Sequence, residues 1–153
     1  MMKLLVSAAL AIGVSGCAIA TPFEFAEDAP APTSSSRVVV VITEAQLGDD
    51  SVQRRIFWRH VTHVEASLKS NARFLGFAKR LELFGDRAWT MTAWADTESL
   101  DAFVRSDAHQ TAIAEAYGGL KGARFARVEM ARSELPPDWS RMLELLDETG
   151  RSY

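Results

Sequence analysis

The run from Val38 to Ile42 constrains the fold more than any other stretch of this chain. It holds five β-branched residues in succession and no polar residue. Such a run predicts a strand whose two faces are both buried. The strand must therefore lie inside a sheet, and each face of that sheet must be covered by other elements.

Periodicity predicts the order β-α-β-β-α-β for the domain, followed by one more helix. The second helical position is expected to break after Ser106, because the apolar residues leave one helix face there. Gly85 is expected to supply a positive φ in the turn of a central β-hairpin. The predicted strands span residues 37–43, 74–83, 88–94 and 124–131, and the predicted helices lie between residues 50 and 70, 96 and 106, 107 and 118, and after 136.

This order predicts an α+β fold, a ferredoxin-like sandwich over residues 37–149 with helices on one face of an antiparallel sheet. Trp89 and Trp94 are expected on opposite faces of the third strand. Neither face of that strand is polar, so the sheet face without helices needs a cover. A second copy of the chain is expected to supply it and close a barrel, giving a homodimer. A stable monomer would require the last helix, around Trp139, to cover that face instead.

The first 36 residues predict export. Lys3 precedes the apolar run Leu4–Val14, which is too short to cross a bilayer as a stable helix. The run ends in Val14-Ser15-Gly16-Cys17, which resembles the lipobox of bacterial lipoproteins. This resemblance implies that residues 1–16 are a signal peptide, that Cys17 is lipidated, and that an acyl anchor holds the protein on the bilayer of the cell envelope, facing the periplasm. Cleavage after Ala20 would instead give a secreted protein.

Residues 17–36 are rich in acidic residues, proline and serine, and they predict a tether between anchor and domain. The 17 basic and 20 acidic residues give a net charge of −3, so nucleic acid is not an expected partner. A single cysteine excludes a disulfide framework and a cysteine-based metal site. His60 and His63 lie at helical spacing without a third ligand nearby, so no metal site is predicted.

The stretch Trp89–Asp96, followed by Phe103 and by Ser106–His109, is similar to the dimeric α+β barrel superfamily. Within it, the chain resembles antibiotic-biosynthesis monooxygenase-type domains and a group near spheroidene monooxygenase, over roughly residues 37–131. The resemblance implies a monooxygenase that oxidises a small apolar or aromatic substrate and requires no cofactor. The alternative is a non-catalytic dimeric module that binds a small hydrophobic ligand or haem.

The candidate catalytic residues are His109 and Trp94. His109 is expected in the first turn of a helix, where the helix dipole disfavours imidazolium and leaves a neutral ring able to act as base or ligand. The alternative role for His109 is a structural tie between its helix and the neighbouring loop. Trp89, Thr92 and Phe103 are expected to line a site for a flat apolar ligand.

The resemblance implies haem as a possible ligand, because the superfamily includes haem-degrading and haem-dependent enzymes. In haem-degrading relatives the iron-binding histidine falls at the position of Ile113, and an asparagine in or just after the first strand falls at Thr43 or Glu44. This chain carries neither residue type at those positions. Haem degradation by that route is therefore not expected.

Overall fold

The computed structural model describes residues 17–29 and 36–152, so the predicted signal peptide lies outside the described residues. Within that range the chain forms an antiparallel sheet and four helices. The elements are β1 (Ala18–Ala20), β2 (Glu24–Phe25), β3 (Arg37–Leu47), α1 (Ser51–Lys69), β4 (Phe74–Glu82), β5 (Arg87–Trp94), α2 (Thr97–Val104), α3 (Asp107–Ala116), β6 (Leu120–Ala131), α4 (Trp139–Thr149) and β7 (Arg151–Ser152).

The strands pair in the order β1-β4-β5-β3-β6-β7, and β2 also pairs with β4. The four central strands have the ferredoxin-like arrangement, so the predicted α+β fold class is confirmed. β3 lies between β5 and β6, and Val40 is opposite Ala93 on one side and Val128 on the other. Both faces of β3 are buried, as the run of β-branched residues predicts.

Helices α1, α2 and α3 follow the predicted pattern. The Asp50 carboxylate accepts hydrogen bonds from the first backbone N–H groups of α1 and caps the helix. The predicted break is present, and Ser106 caps α3 by accepting a hydrogen bond from the backbone N–H of His109. No helix in residues 17–29 and 36–152 is long and apolar enough to cross a membrane.

The hairpin turn differs from the prediction at Gly85. Among the described residues, positive φ occurs at Gly76 instead, with φ of 152°. A side chain at Gly85 would overlap the side chain of Glu82, so the turn needs glycine for space. A side chain at Gly76 would overlap Phe23 and the β2 backbone, because this strand approaches β4 closely.

The last helix, α4, covers the sheet face opposite α1 and α2. Met142 and Leu146 are fully buried there, packed in one cluster with Trp89 and Met91 of β5. Burial of a side chain of this size contributes about 1.5–3 kcal/mol. In this chain α4 therefore covers the face through which the sequence predicts a homodimer. This is the arrangement predicted as the alternative to a second copy, and the oligomeric state itself stays a prediction for sedimentation to test.

The segment after Cys17 also differs from the prediction. β1 pairs with β4, with Ile19 opposite Leu81, and β2 pairs with the same strand. Phe23 packs against the core. Residues 18–25 are therefore bound to the sheet and are not a tether, because they satisfy the backbone groups that the edge of β4 would otherwise expose. At the other end, β7 extends the domain beyond residue 149.

Candidate functional site

A cavity of about 480 Å³ lies between the sheet and helices α1 and α3. Its lining is mainly apolar and contains a few polar groups, the composition typical of a site for a small organic ligand. On the sheet side it is lined by Val41, Thr43, Ala45, Phe77, Ala88, Thr90 and Thr92, and on the helix side by Phe57, Trp58, His60, Val61, Val64, Phe103, His109, Ala112, Ile113 and Ala116.

His109 lies on the cavity wall, as part of the first turn of α3. Its Nδ1 is 3.1 Å from the carbonyl oxygen of Val104, at the end of α2. A carbonyl only accepts, so in the neutral ring Nδ1 carries the hydrogen and Nε2 carries the lone pair. Burial lowers the pKa of His109, and the contact with Val104 opposes this shift. The ring is therefore neutral near pH 7, with Nε2 able to accept a proton.

Thr92 and Phe103 both line the cavity, and Trp94 lies directly behind them. The Trp94 indole is fully buried, donates from Nε1 to Thr92 Oγ1 at 3.1 Å, and packs with its ring centroid 5.0 Å from that of Phe103. The Phe103 ring in turn packs 4.9 Å from the His109 ring. The structure thus brings four of the five candidate residues into one group, in which Trp94 positions side chains that face the ligand space.

Trp89 lies apart from this group. It borders the cavity, but its indole belongs to the core cluster under α4, as its position opposite to Trp94 predicts. Its Nε1 donates to the buried Glu44 carboxylate at 2.8 Å. Arg124 also donates to Glu44 at 2.8 Å, and this hydrogen bond raises the pKa of Arg124. Trp89 therefore takes part in a structural network on the other side of the sheet.

His60 is a second imidazole on the cavity wall. Its Nε2 lies 2.9 Å from Glu115 Oε2, so the pair links α1 to α3. The His63 ring is next to it, with centroids 6.3 Å apart. Within residues 17–29 and 36–152, no three histidine, cysteine or acidic side chains gather as metal ligands. Helical spacing indicates that His60 and His63 share one side of α1, but it does not reveal what packs against that side. The residues that do so, such as Glu115, are distant in sequence.

Two polar contacts hold the site in place. Lys79 Nζ and Glu65 Oε1 form an ion pair of 2.6 Å that joins β4 to α1 at the cavity wall. Asp96 caps α2, the helix that carries Phe103. Hydrogen bonds from Ser99, together with the Arg73 guanidinium, lower the pKa of Asp96 to about 2.

Replacing Glu44 by alanine is expected to destabilise the protein by about 1–3 kcal/mol, because the buried Trp89 Nε1 loses its acceptor. The control is Glu129→Ala, which removes an exposed ion pair with Arg37 and is expected to cost less than about 1 kcal/mol. Urea unfolding of both variants measures the difference. Equal losses would show that Glu44 has no special role in the core.

No protein-family model matches the chain, and no curated protein matches it by sequence. Solved structures share its fold. A candidate monooxygenase from Lactobacillus acidophilus NCFM aligns with a TM-score of 0.55 and 15% identity, over 73% of this chain and 49% of that protein. The chain therefore spans about half the length of the Lactobacillus protein.

Two further structures are candidate antibiotic biosynthesis monooxygenases. The one from Caulobacter crescentus CB15 has a TM-score of 0.53 and 13% identity, over 62% of this chain and 89% of that protein. The one from Nitrosomonas europaea has a TM-score of 0.53 and 12% identity, over 69% and 97%. The chain thus has the fold of antibiotic-biosynthesis monooxygenase-like proteins. At these identities the likeness establishes the fold alone.

Proposed function

We propose that this protein is a monooxygenase of the cell envelope that oxidises a small, flat, apolar or aromatic substrate inside the cavity. The observation that carries the proposal is the placement of His109, a neutral imidazole with a free Nε2 lone pair, on the wall of an apolar cavity. The likeness to structures named as candidate monooxygenases supports the reaction class.

The chemistry needs a substrate with an activated CH₂ group on an electron-rich ring. His109 Nε2 accepts one proton from this carbon, and the resulting anion supplies electrons to O₂. A carbon–oxygen bond forms, the O–O bond breaks, one oxygen atom remains as the new carbonyl, and the other leaves as water with the two hydrogens. The electrons come from the substrate, so the step requires no cofactor. Apolar walls shield the anion from water.

The proposed location in the cell envelope depends on lipidation of Cys17. Cys17 is exposed in the structure, and only the small residues Ser15 and Gly16 separate it from the apolar run of the sequence. Acylation of this residue would hold the domain on the periplasmic side of a bilayer, since each buried methylene contributes about 0.8 kcal/mol.

A second candidate function is a non-catalytic module that binds a small hydrophobic ligand. The observation favouring it is that Val104 O contacts both His109 Nδ1 and the Gln110 side chain, which ties α3 to the end of α2. Haem is a poor fit to the cavity, because the position of the relatives' iron ligand is Ile113, an apolar side chain on the wall. No step of the proposed reaction passes through haem.

Filling the cavity tests the proposed function. Ala112 is buried on the cavity wall, and Ala112→Phe is expected to lower substrate binding and turnover at least about tenfold, the effect of losing 1.4 kcal/mol. The matched control is Ala66→Phe on the exposed side of α1, which is expected to leave both unchanged. Oxygen uptake with a panel of polycyclic phenols bearing an activated CH₂ group is the measurement. Binding to the wild type without oxygen uptake would favour the module.

A further inference from the structure

Several loops meet at one end of the sheet, where β3 and β4 end and β1, β5 and β6 begin. Backbone hydrogen bonds join them side by side: Leu47 N to Asp86 O at 2.7 Å, Gly48 N to Gly119 O at 2.7 Å, and Leu83 N to Cys17 O at 2.9 Å. We name this surface the apolar end and define it as residues 17–19, 48–52, 83–86 and 117–119.

The apolar end concentrates exposed hydrophobic side chains. Phe84 is 92% exposed at the tip of the β4–β5 turn, and four neighbours are between 48% and 56% exposed. Across the described parts of the chain, seven large apolar side chains are exposed, and five of them lie here. Such clustering marks an interaction surface, whereas isolated exposed apolar residues do not. The five are Ile19, Val52, Leu83, Phe84 and Tyr117.

Charged groups near this end are largely paired. Lys121 Nζ lies 2.9 Å from Asp49 Oδ1 and 3.1 Å from Asp86 Oδ2. Arg87 and Glu82 form an ion pair of 2.6 Å beside the turn. Paired charges cost less than isolated ones when a surface of low dielectric constant approaches. The charges beside the apolar end are therefore partly neutralised, because two aspartates share Lys121 and the Asp50 carboxylate is held as the cap of α1. The exposed apolar side chains can then approach the head-group region of a bilayer.

The position of Cys17 beside the apolar end indicates that a lipid bilayer is the partner of this surface. Cys17 is bound to Leu83 through its carbonyl, and Ala18–Ala20 are already paired with β4. No free tether therefore separates Cys17 from the domain, and one residue spans only about 3.5 Å. Acyl chains on Cys17 would bring the surrounding surface, with Leu83 and Phe84, into contact with the lipid.

We propose that the apolar end lies on the bilayer, with Leu83 and Phe84 inserted among the lipids beside the acyl anchor. This inference rests on the proposed lipidation of Cys17, and it adds a fixed orientation of the domain. Ile19 and Tyr117 belong both to the apolar end and to the cavity wall. An apolar substrate dissolved in the bilayer therefore has a short apolar path into the cavity.

A fluorescent probe on single cysteines tests the orientation in the membrane-bound full chain. A lipidated Cys17 carries no thiol, so an introduced cysteine is the sole labelling site. Phe84→Cys places a nitrobenzoxadiazole probe at the apolar end, and Ala72→Cys places it in the exposed α1–β4 turn at the opposite end of the sheet. The labelled proteins are reconstituted into phosphatidylethanolamine and phosphatidylglycerol vesicles. We expect blue-shifted, brighter emission at residue 84 and water-like emission at residue 72.

Sedimentation with membranes tests the acyl anchor on Cys17 separately from the orientation of the domain. Wild type is expected to sediment with membranes, and Cys17→Ser is expected to remain soluble. Water-like emission from both probes in sedimenting protein would overturn the orientation and leave the anchor standing. A wild type that stays soluble, or a Cys17→Ser variant that still sediments and still incorporates a fatty-acid label, would overturn the anchor and this inference with it.

Discussion

Removal of residues 138–153 is expected to make the protein self-associate, because it strips α4 from a large apolar face. Met142 and Leu146 fill this face in the intact chain. Without α4, the side chains of β3 and β5 that it covers would be exposed to water. The same face of a second copy of the chain could then bury them. Sedimentation at micromolar concentration, in the Cys17→Ser background to avoid the lipid, measures the change.

The full chain is the reference in this experiment, and it is expected to sediment as a monomer. A full-length dimer would have to use a different surface, since α4 occupies the sheet face. A truncated chain that stays folded and monomeric would contradict the prediction. Leu146→Ala weakens the packing of α4 without removing the helix, and it is expected to lower the free energy of unfolding by about 2–5 kcal/mol. Leu83→Ala is its control, because Leu83 is only half buried.

Replacing His109 by asparagine is expected to lower turnover about 10²–10⁴-fold, the usual contribution of a positioned general base. Asparagine can keep the hydrogen bond to Val104 O, so folding should be retained, but it accepts no proton near pH 7. His109→Ala is expected to lose the same activity and some stability as well. Oxygen uptake and thermal unfolding separate the two effects. The matched control is His63→Asn, because His63 is exposed and is not on the cavity wall.

Dependence on pH gives a second test of His109. Its folded-state pKa is below the ordinary 6.5, so the unfolded chain binds more protons just below that pH. The stability from this group is therefore present above pH 6.5 and is lost as the pH falls through the lowered pKa. His109→Asn should remove this part of the acid destabilisation. An asparagine variant that retains stability, with no activity found in any variant, would leave His109 as a structural tie.

Much of the fold could be predicted from the sequence because the signals are local. The run Val38–Ile42 predicts a central strand, and helical spacing predicts α1. The predicted break after Ser106 and the predicted helix after residue 136 agree with the observed starts of α3 and α4. The ferredoxin-like order follows from these elements. The grouping of His109 with Phe103 could also be expected, because both lie on consecutive helical segments.

The tertiary structure decided the features that depend on residues far apart in sequence. Trp89 binds Glu44, 45 positions away, on the face that α4 covers. His60 meets Glu115 where α1 packs against α3. By itself, the sequence determined the order of the elements from β3 to α4 and the apolar character of both sheet faces. It did not reveal the short strands β1, β2 and β7. The sequence does not show which segment covers each sheet face or where the N-terminal strand pairs. Segments far apart in sequence compete for the same apolar face or strand edge, so the outcome is visible only in the folded chain.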